Sequence, residues 1–120
     1  MKKSESVFPV MRLPRAFAYS LRGLRIAFST EGAFRLEFLV LIASGPVAWF
    51  ATSNGVERAL LIGSWLGVMV VELLNSAIEA IVDRIGREHN ELSGRAKDFG
   101  SAAVFCAIVT AGVVWLLVLI

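Results

Sequence analysis

The chain has 120 residues, of which 57% are hydrophobic and 18% charged, and its mean hydropathy is +0.71; it is too apolar for a disordered segment and too small to hide so much apolar surface in a soluble domain. Lipid is the solvent that fits such a composition. A net charge of only +2, with no groove-sized basic cluster, argues against nucleic acid as a partner, and a single cysteine, Cys106, excludes an internal disulfide or a cysteine-rich metal site.

In chain order, the first predicted element is a helix over about residues 12–30. At the helical period, Leu13, Phe17, Leu21, Leu24 and Phe28 share one face, while Arg12, Arg15, Arg22 and Arg25 share the other. That segregation describes an amphipathic helix lying on a membrane surface. It is not a secretory signal, because Pro9, Arg12, Pro14, Arg15, Arg22 and Arg25 interrupt every apolar run.

Spacing between charges then predicts three membrane spans, at about 36–54, 58–82 and 98–119. The first carries no charge after Glu37 and the third none after Asp98; the second carries Glu72 and Glu79 inside it. Eleven of the 12 basic residues lie before the first span or in the 83–98 loop, and only Arg58 lies in the opposite turn. The N-terminus and the 83–98 loop are therefore expected on the cytoplasmic side. Trp49 and Trp115 fall near the outer ends of their spans, as lipid-facing anchors would. Cys106 reads as a packed, inert thiol, and Gly94 and Gly100 as residues that ease the turn into the third span. With no internal repeat or linker, the reading is one all-α integral-membrane domain over 1–120: three transmembrane helices and an N-terminal surface helix.

The informative segment is the second span. On a helix, Glu72, Asn75, Ser76, Glu79 and Asp83 share a stripe about 100° wide that runs ~16 Å down the helix towards the cytoplasm. Intramembrane carboxylates cost on the order of 2–3 kcal/mol each and need partners or water, neither of which lipid supplies. The stripe could act as glue between helices, share a divalent cation, which prefers hard oxygen ligands, or relay protons. Three spans do not surround it, so a subunit interface is expected. Glu31, Glu37, Glu88, Glu91, Lys97 and Asp98 lie towards the same side. A lone His89 has no second histidine at ligand spacing. No phosphate-cradling glycine motif of the common nucleotide-binding folds is present.

The run Glu72-Leu-Leu-Asn75-Ser-Ala-Ile-Glu79-Ala-Ile-Val-Asp83-Arg84, followed by Glu91-Leu-Ser-Gly94-Arg-Ala-Lys97-Asp98-Phe-Gly100-Ser101-Ala-Ala103, resembles the signature of the bacterial diacylglycerol kinases, small integral-membrane lipid kinases. The resemblance reaches back through Glu31-Gly-Ala-Phe-Arg35-Leu-Glu37 and Gly23-Leu-Arg25, covering about residues 12–115. It implies ATP-dependent phosphorylation of diacylglycerol to phosphatidic acid at the inner leaflet of the bacterial inner membrane, with Mg2+ on the nucleotide, by a homotrimer whose sites are shared between subunits.

Residue by residue, the resemblance implies Glu72 as general base with Asn75 beside it, and Glu31 and Glu79 as the magnesium carboxylates. It implies nucleotide contacts from Arg12, Tyr19, Glu31, Glu79, Glu88, Lys97 and Asp98, and a lipid-headgroup lining of Arg35, Glu37, Glu72 and Ser101. Leu36 and His89 depart from the pattern, standing where relatives carry glutamine and tyrosine. Undecaprenol is an alternative substrate for the same fold, and a small proton-coupled transporter using the two span acids is an alternative of a different class.

Overall fold

A computed structural model describes residues 13–120. The described residues form four helices: α1 Leu13–Thr30, α2 Gly32–Ala51, α3 Gly55–Ile85 and α4 Glu91–Leu119. α2, α3 and α4 are each long and apolar enough to cross a membrane. The protein is an all-α membrane protein with three such helices and an amphipathic N-terminal one. It divides into two compact units, Met1–Arg35 and Leu36–Ile120.

In the first unit, α1 carries its apolar stripe of Leu13, Phe17, Leu21, Leu24 and Phe28 exposed, as a helix bedded in a lipid interface requires. It ends at Thr30, where the hydroxyls of Ser29 and Thr30 both donate to the Ile26 carbonyl, at 3.0 and 2.7 Å. Ser and Thr side chains that bond backward in this way compete with the backbone ladder. Glu31 bridges α1 and α2: its N–H donates to Ala27 O at 2.9 Å and its carbonyl accepts from Arg35 N–H at 3.2 Å. The Arg35 guanidinium turns back onto the carbonyls of Phe28 and Ser29, at 3.4 and 3.3 Å. A cation there satisfies orphan carbonyls and meets the negative end of the helix dipole.

The second unit is built on an antiparallel α3–α4 pair. Leu61, Val68, Asn75 and Val82 of α3 are buried at seven-residue intervals, opposite Gly100 and Ala111 of α4. A heptad spacing keeps one seam of a helix facing its partner. Two indoles tie the helices across the span: Trp115 Nε1 donates to Leu61 O at 3.0 Å, and Trp65 Nε1 to Glu37 O at 2.8 Å. The expected anchor role for Trp115 is thus joined by a tertiary one, because a buried indole N–H needs an acceptor that lipid does not offer. Trp49 is exposed and stacks under Arg58, whose guanidinium carbon lies 3.7 Å from the ring centroid.

The outer turn is only a few residues long. Asn54 caps α3 by accepting from Val56 and Glu57 N–H at 2.9 and 3.1 Å, and Arg58 donates to the carbonyls of Thr52 and Trp49, both at 2.8 Å. Span one therefore ends at Ala51, not at 54, because Asn54 belongs to the next helix as its cap.

The larger correction concerns the inner connection. The expected 83–98 loop shrinks to residues 86–90, since α3 runs on to Ile85 and α4 starts at Glu91. Asn90 accepts from Leu92 and Ser93 N–H at 3.0 and 3.1 Å, a cap that starts α4 two turns before the apolar run begins. Charge marks where hydrocarbon ends, not where a helix ends. At 1.5 Å per residue the 31 residues of α3 reach ~46 Å, well beyond a ~30 Å hydrocarbon core. Gly94 and Gly100 accordingly lie inside α4 and turn nothing, and Cys106 is exposed rather than packed.

Candidate functional site

Glu72, Asn75 and Glu79 all stand on the face of α3 that turns inward, because helical spacings of three, four and seven return to one side. Asn75 is buried, and Glu72 and Glu79 are half-buried. Asn75 Nδ2 donates to Glu79 Oε1 at 3.3 Å, so the amide orients the carboxylate one turn closer to the α3–α4 connection. Asn75 Oδ1 is buried and accepts no hydrogen bond. Opposite it is Gly100: a Cβ built there would lie 2.2 Å from Asn75 Oδ1.

Glu37, in the second turn of α2, is buried, with Oε2 receiving no donor. Its carboxylate lies within electrostatic reach of Glu72. Two acids from two helices therefore face one locality at the level where the apolar part of α2 begins. A buried acceptor oxygen without a donor costs about 1–3 kcal/mol, which is tolerated where a ligand group or water completes the bond.

Below the acids the α3–α4 connection encloses a cavity of about 570 Å³, lined by Asp83, Arg87, Glu88, His89, Asn90 and Lys97 among others. Lys97 Nζ donates to Asp83 Oδ1 at 2.8 Å across this space. The pairing differs from a simple reading of Lys97-Asp98 as neighbours. Adjacent helical residues point about 100° apart, so Asp98 looks elsewhere and is exposed. Ser101 is exposed on α4 as well.

The remaining candidates belong to the first unit. Tyr19 is exposed on α1, Glu31 is half-buried at the α1–α2 junction, and Arg35 is exposed with its guanidinium on the α1 carbonyls. Arg12 lies outside the described residues. The structure thus bonds Asn75 to Glu79, brings Glu37 within electrostatic reach of Glu72, and sets Glu88 and Lys97 on the wall of one cavity. It adds Asp83, which the spacing sets on the stripe without a site role, and Gly100, expected only to ease a turn. Asp83 lay on the acid stripe, but its partner fourteen residues on is identifiable only once both helices are extended.

Among the described residues no three His, Cys, Asp or Glu side chains cluster as a closed metal site. Magnesium is held through hard oxygen ligands, commonly one or two carboxylates with bound phosphate. Glu79, a hard oxygen donor already oriented by an amide, fits that demand.

The sequence also matches known proteins. The family model described as prokaryotic diacylglycerol kinase matches residues 18–119. The chain belongs to that family. It is 50% identical over 108 residues to a diacylglycerol kinase of Escherichia coli, covering 90% of this chain and 88% of that one. A diacylglycerol kinase of Haemophilus influenzae is 53% identical over 97 residues, 81% of this chain and 82% of its own. One from Pseudomonas aeruginosa is 46% identical over 109 residues, 91% and 89% respectively. Within this family the resemblance carried by Glu72–Arg84 and Glu91–Ala103 extends over nearly the whole described chain.

Proposed function

We propose that the chain is an ATP:diacylglycerol phosphotransferase, moving the γ-phosphoryl group of ATP onto the hydroxyl of diacylglycerol at the inner leaflet and releasing ADP and phosphatidic acid. One observation carries the reading: α3 holds Glu72, Asn75 and Glu79 in a line that descends from membrane depth towards the Lys97 cavity, in a chain of the diacylglycerol kinase family.

The chemistry follows from depth. Glu72 and Glu79 are seven residues apart, about 10 Å along the helix. Glu72 meets the lipid hydroxyl at the level of the headgroup and takes its proton as the oxygen forms its bond to the γ-phosphorus. The bond from that phosphorus to the β-phosphate oxygen breaks, and ADP leaves with the electron pair. Such a transfer is mostly positioning and charge neutralisation. Lys97 supplies positive charge to the phosphates, with Asp98, Glu88, Tyr19 and Arg12 as further nucleotide contacts. Arg35, Glu37, Glu72 and Ser101 line the lipid headgroup. Glu79 and Glu31 would hold magnesium on the nucleotide, and a bound ion would supply neutralisation of the phosphate oxygens.

Localisation follows the basic residues: a multi-pass protein of the bacterial inner membrane, N-terminus and α3–α4 connection cytoplasmic. The assembly is a homotrimer with sites shared between subunits. The test is transfer of labelled γ-phosphate from Mg-ATP in mixed micelles, with diacylglycerol and undecaprenol offered separately. Labelling of diacylglycerol is expected. Labelling of undecaprenol alone overturns the substrate, and labelling of neither by a folded preparation overturns the kinase and returns Glu72 and Glu79 to proton-coupled transport.

A further inference from the structure

Asn75 is the one amide in the acid line of α3, and its surroundings are asymmetric. Its Nδ2 donates to Glu79; its Oδ1 is buried, accepts no hydrogen bond and points at the backbone of α4. At the point of approach stands Gly100, buried, in the middle of a regular helix with no positive φ. Its conformation therefore does not require glycine; its neighbour does. An added Cβ would sit 2.2 Å from Asn75 Oδ1 and 3.3 Å from Asn75 Cγ, whereas Asn75 Cβ would be at an ordinary 3.8 Å.

The carboxamide has little room to yield. Turning Oδ1 away from α4 also turns Nδ2 away from Glu79, since both hang on one planar group. The hydrogen that glycine carries in place of Cβ points towards Oδ1 and leaves it room that a methyl group would take. Of the other nine glycines, eight have open space where a Cβ would stand, and Gly32 meets only the tip of the Arg35 side chain. Gly100 is the position at which absence of a side chain decides a neighbour's orientation.

We infer that Gly100 is a positioning residue of the phosphotransfer site: by admitting the Asn75 carboxamide, it fixes the hydrogen bond that orients the Glu79 carboxylate. The inference rests on the kinase reading for its kinetic consequence and on geometry alone for its structural one.

The test is a double-mutant cycle of Gly100→Ala and Asn75→Ala in the full-length protein in micelles. Gly100→Ala is expected to lower kcat/KM for Mg-ATP by about tenfold or more, the range for losing a hydrogen bond to a charged group, and to raise the magnesium concentration for half-maximal rate. KM for diacylglycerol stays unchanged. In the Asn75→Ala background the same glycine substitution costs nothing further, because the remaining Cβ is at van der Waals distance. Equal losses in both backgrounds, or no loss in the first, would overturn the inference. Should Gly100→Ala fail to fold, a folded double variant supports the assignment and an unfolded one refutes it. The side-chain amide resonance of Asn75, read in Gly100→Ala without turnover, separates this inference from the kinase reading. It shifts if the carboxamide rotates, even in a preparation that phosphorylates neither lipid, and an unmoved resonance sinks the positioning role.

Discussion

Asn75 orients Glu79, one of the two span acids to which the proposed function gives different work. On the proposed reading Glu72 acts as base and Glu79 holds magnesium, and a metal-holding carboxylate needs the fixed orientation that the Asn75 amide gives Glu79. Glu72→Gln removes the proton acceptor and keeps its shape, so phosphate transfer should fall by about 10²–10⁴-fold while Mg-ATP still protects the protein from heat. Full activity in that variant would end the assignment of Glu72. Glu79→Gln keeps the Asn75 hydrogen bond but weakens the ion's ligand. Its signature is a raised half-saturating magnesium concentration, measured by titrating the metal at fixed ATP. Glu72, Glu79 and Asn75 are identifiable in the chain as residues out of place in lipid, and Lys97 by the family resemblance. Asp83 as the partner of Lys97 is not, because its 2.8 Å contact spans a turn between two helices.

Helix ends decide how the charged cavity is framed. α4 begins at Glu91 because Asn90 accepts from two backbone N–H groups, and those first turns carry Ser93, Gly94 and Lys97 to the cavity wall. Asn90→Ala should cost about 1 kcal/mol of local helix stability. Amide exchange at Leu92 and Ser93 reads it directly, and protection unchanged at both would show the cap to be dispensable. The helices over 12–30 and the three spans are legible from amphipathic period and charge spacing. Their ends are not: a cap is a local hydrogen bond that overrides composition, so the expected 83–98 loop is mostly helix. Arg35 makes the same point at the α1–α2 junction, where a candidate headgroup contact also satisfies the carbonyls of Phe28 and Ser29.

At the scale of the molecule, the outward faces of the three spans are apolar, with Phe50, Phe105 and Leu117 among the exposed side chains. Such faces suit lipid or further copies of the chain. If sites are shared between subunits, inactive chains should complement one another. Mixing Glu72→Gln subunits with Asp98→Asn subunits should restore a measurable fraction of the transfer rate that neither variant has alone. Persistent inactivity in mixed oligomers proven by cross-linking would instead confine each site to one chain.

The membrane class, the number of spans, the amphipathic N-terminal helix and the acid stripe follow from the sequence itself, because hydropathy and helical period act over neighbours along the chain. The tertiary structure alone decided that Lys97 meets Asp83, that Trp65 and Trp115 bond to backbone carbonyls of other helices, and that Gly100 makes room for Asn75. Each of these depends on the register between helices, and register is set by side-chain packing across the α3–α4 seam, to which residues far apart in the chain contribute together.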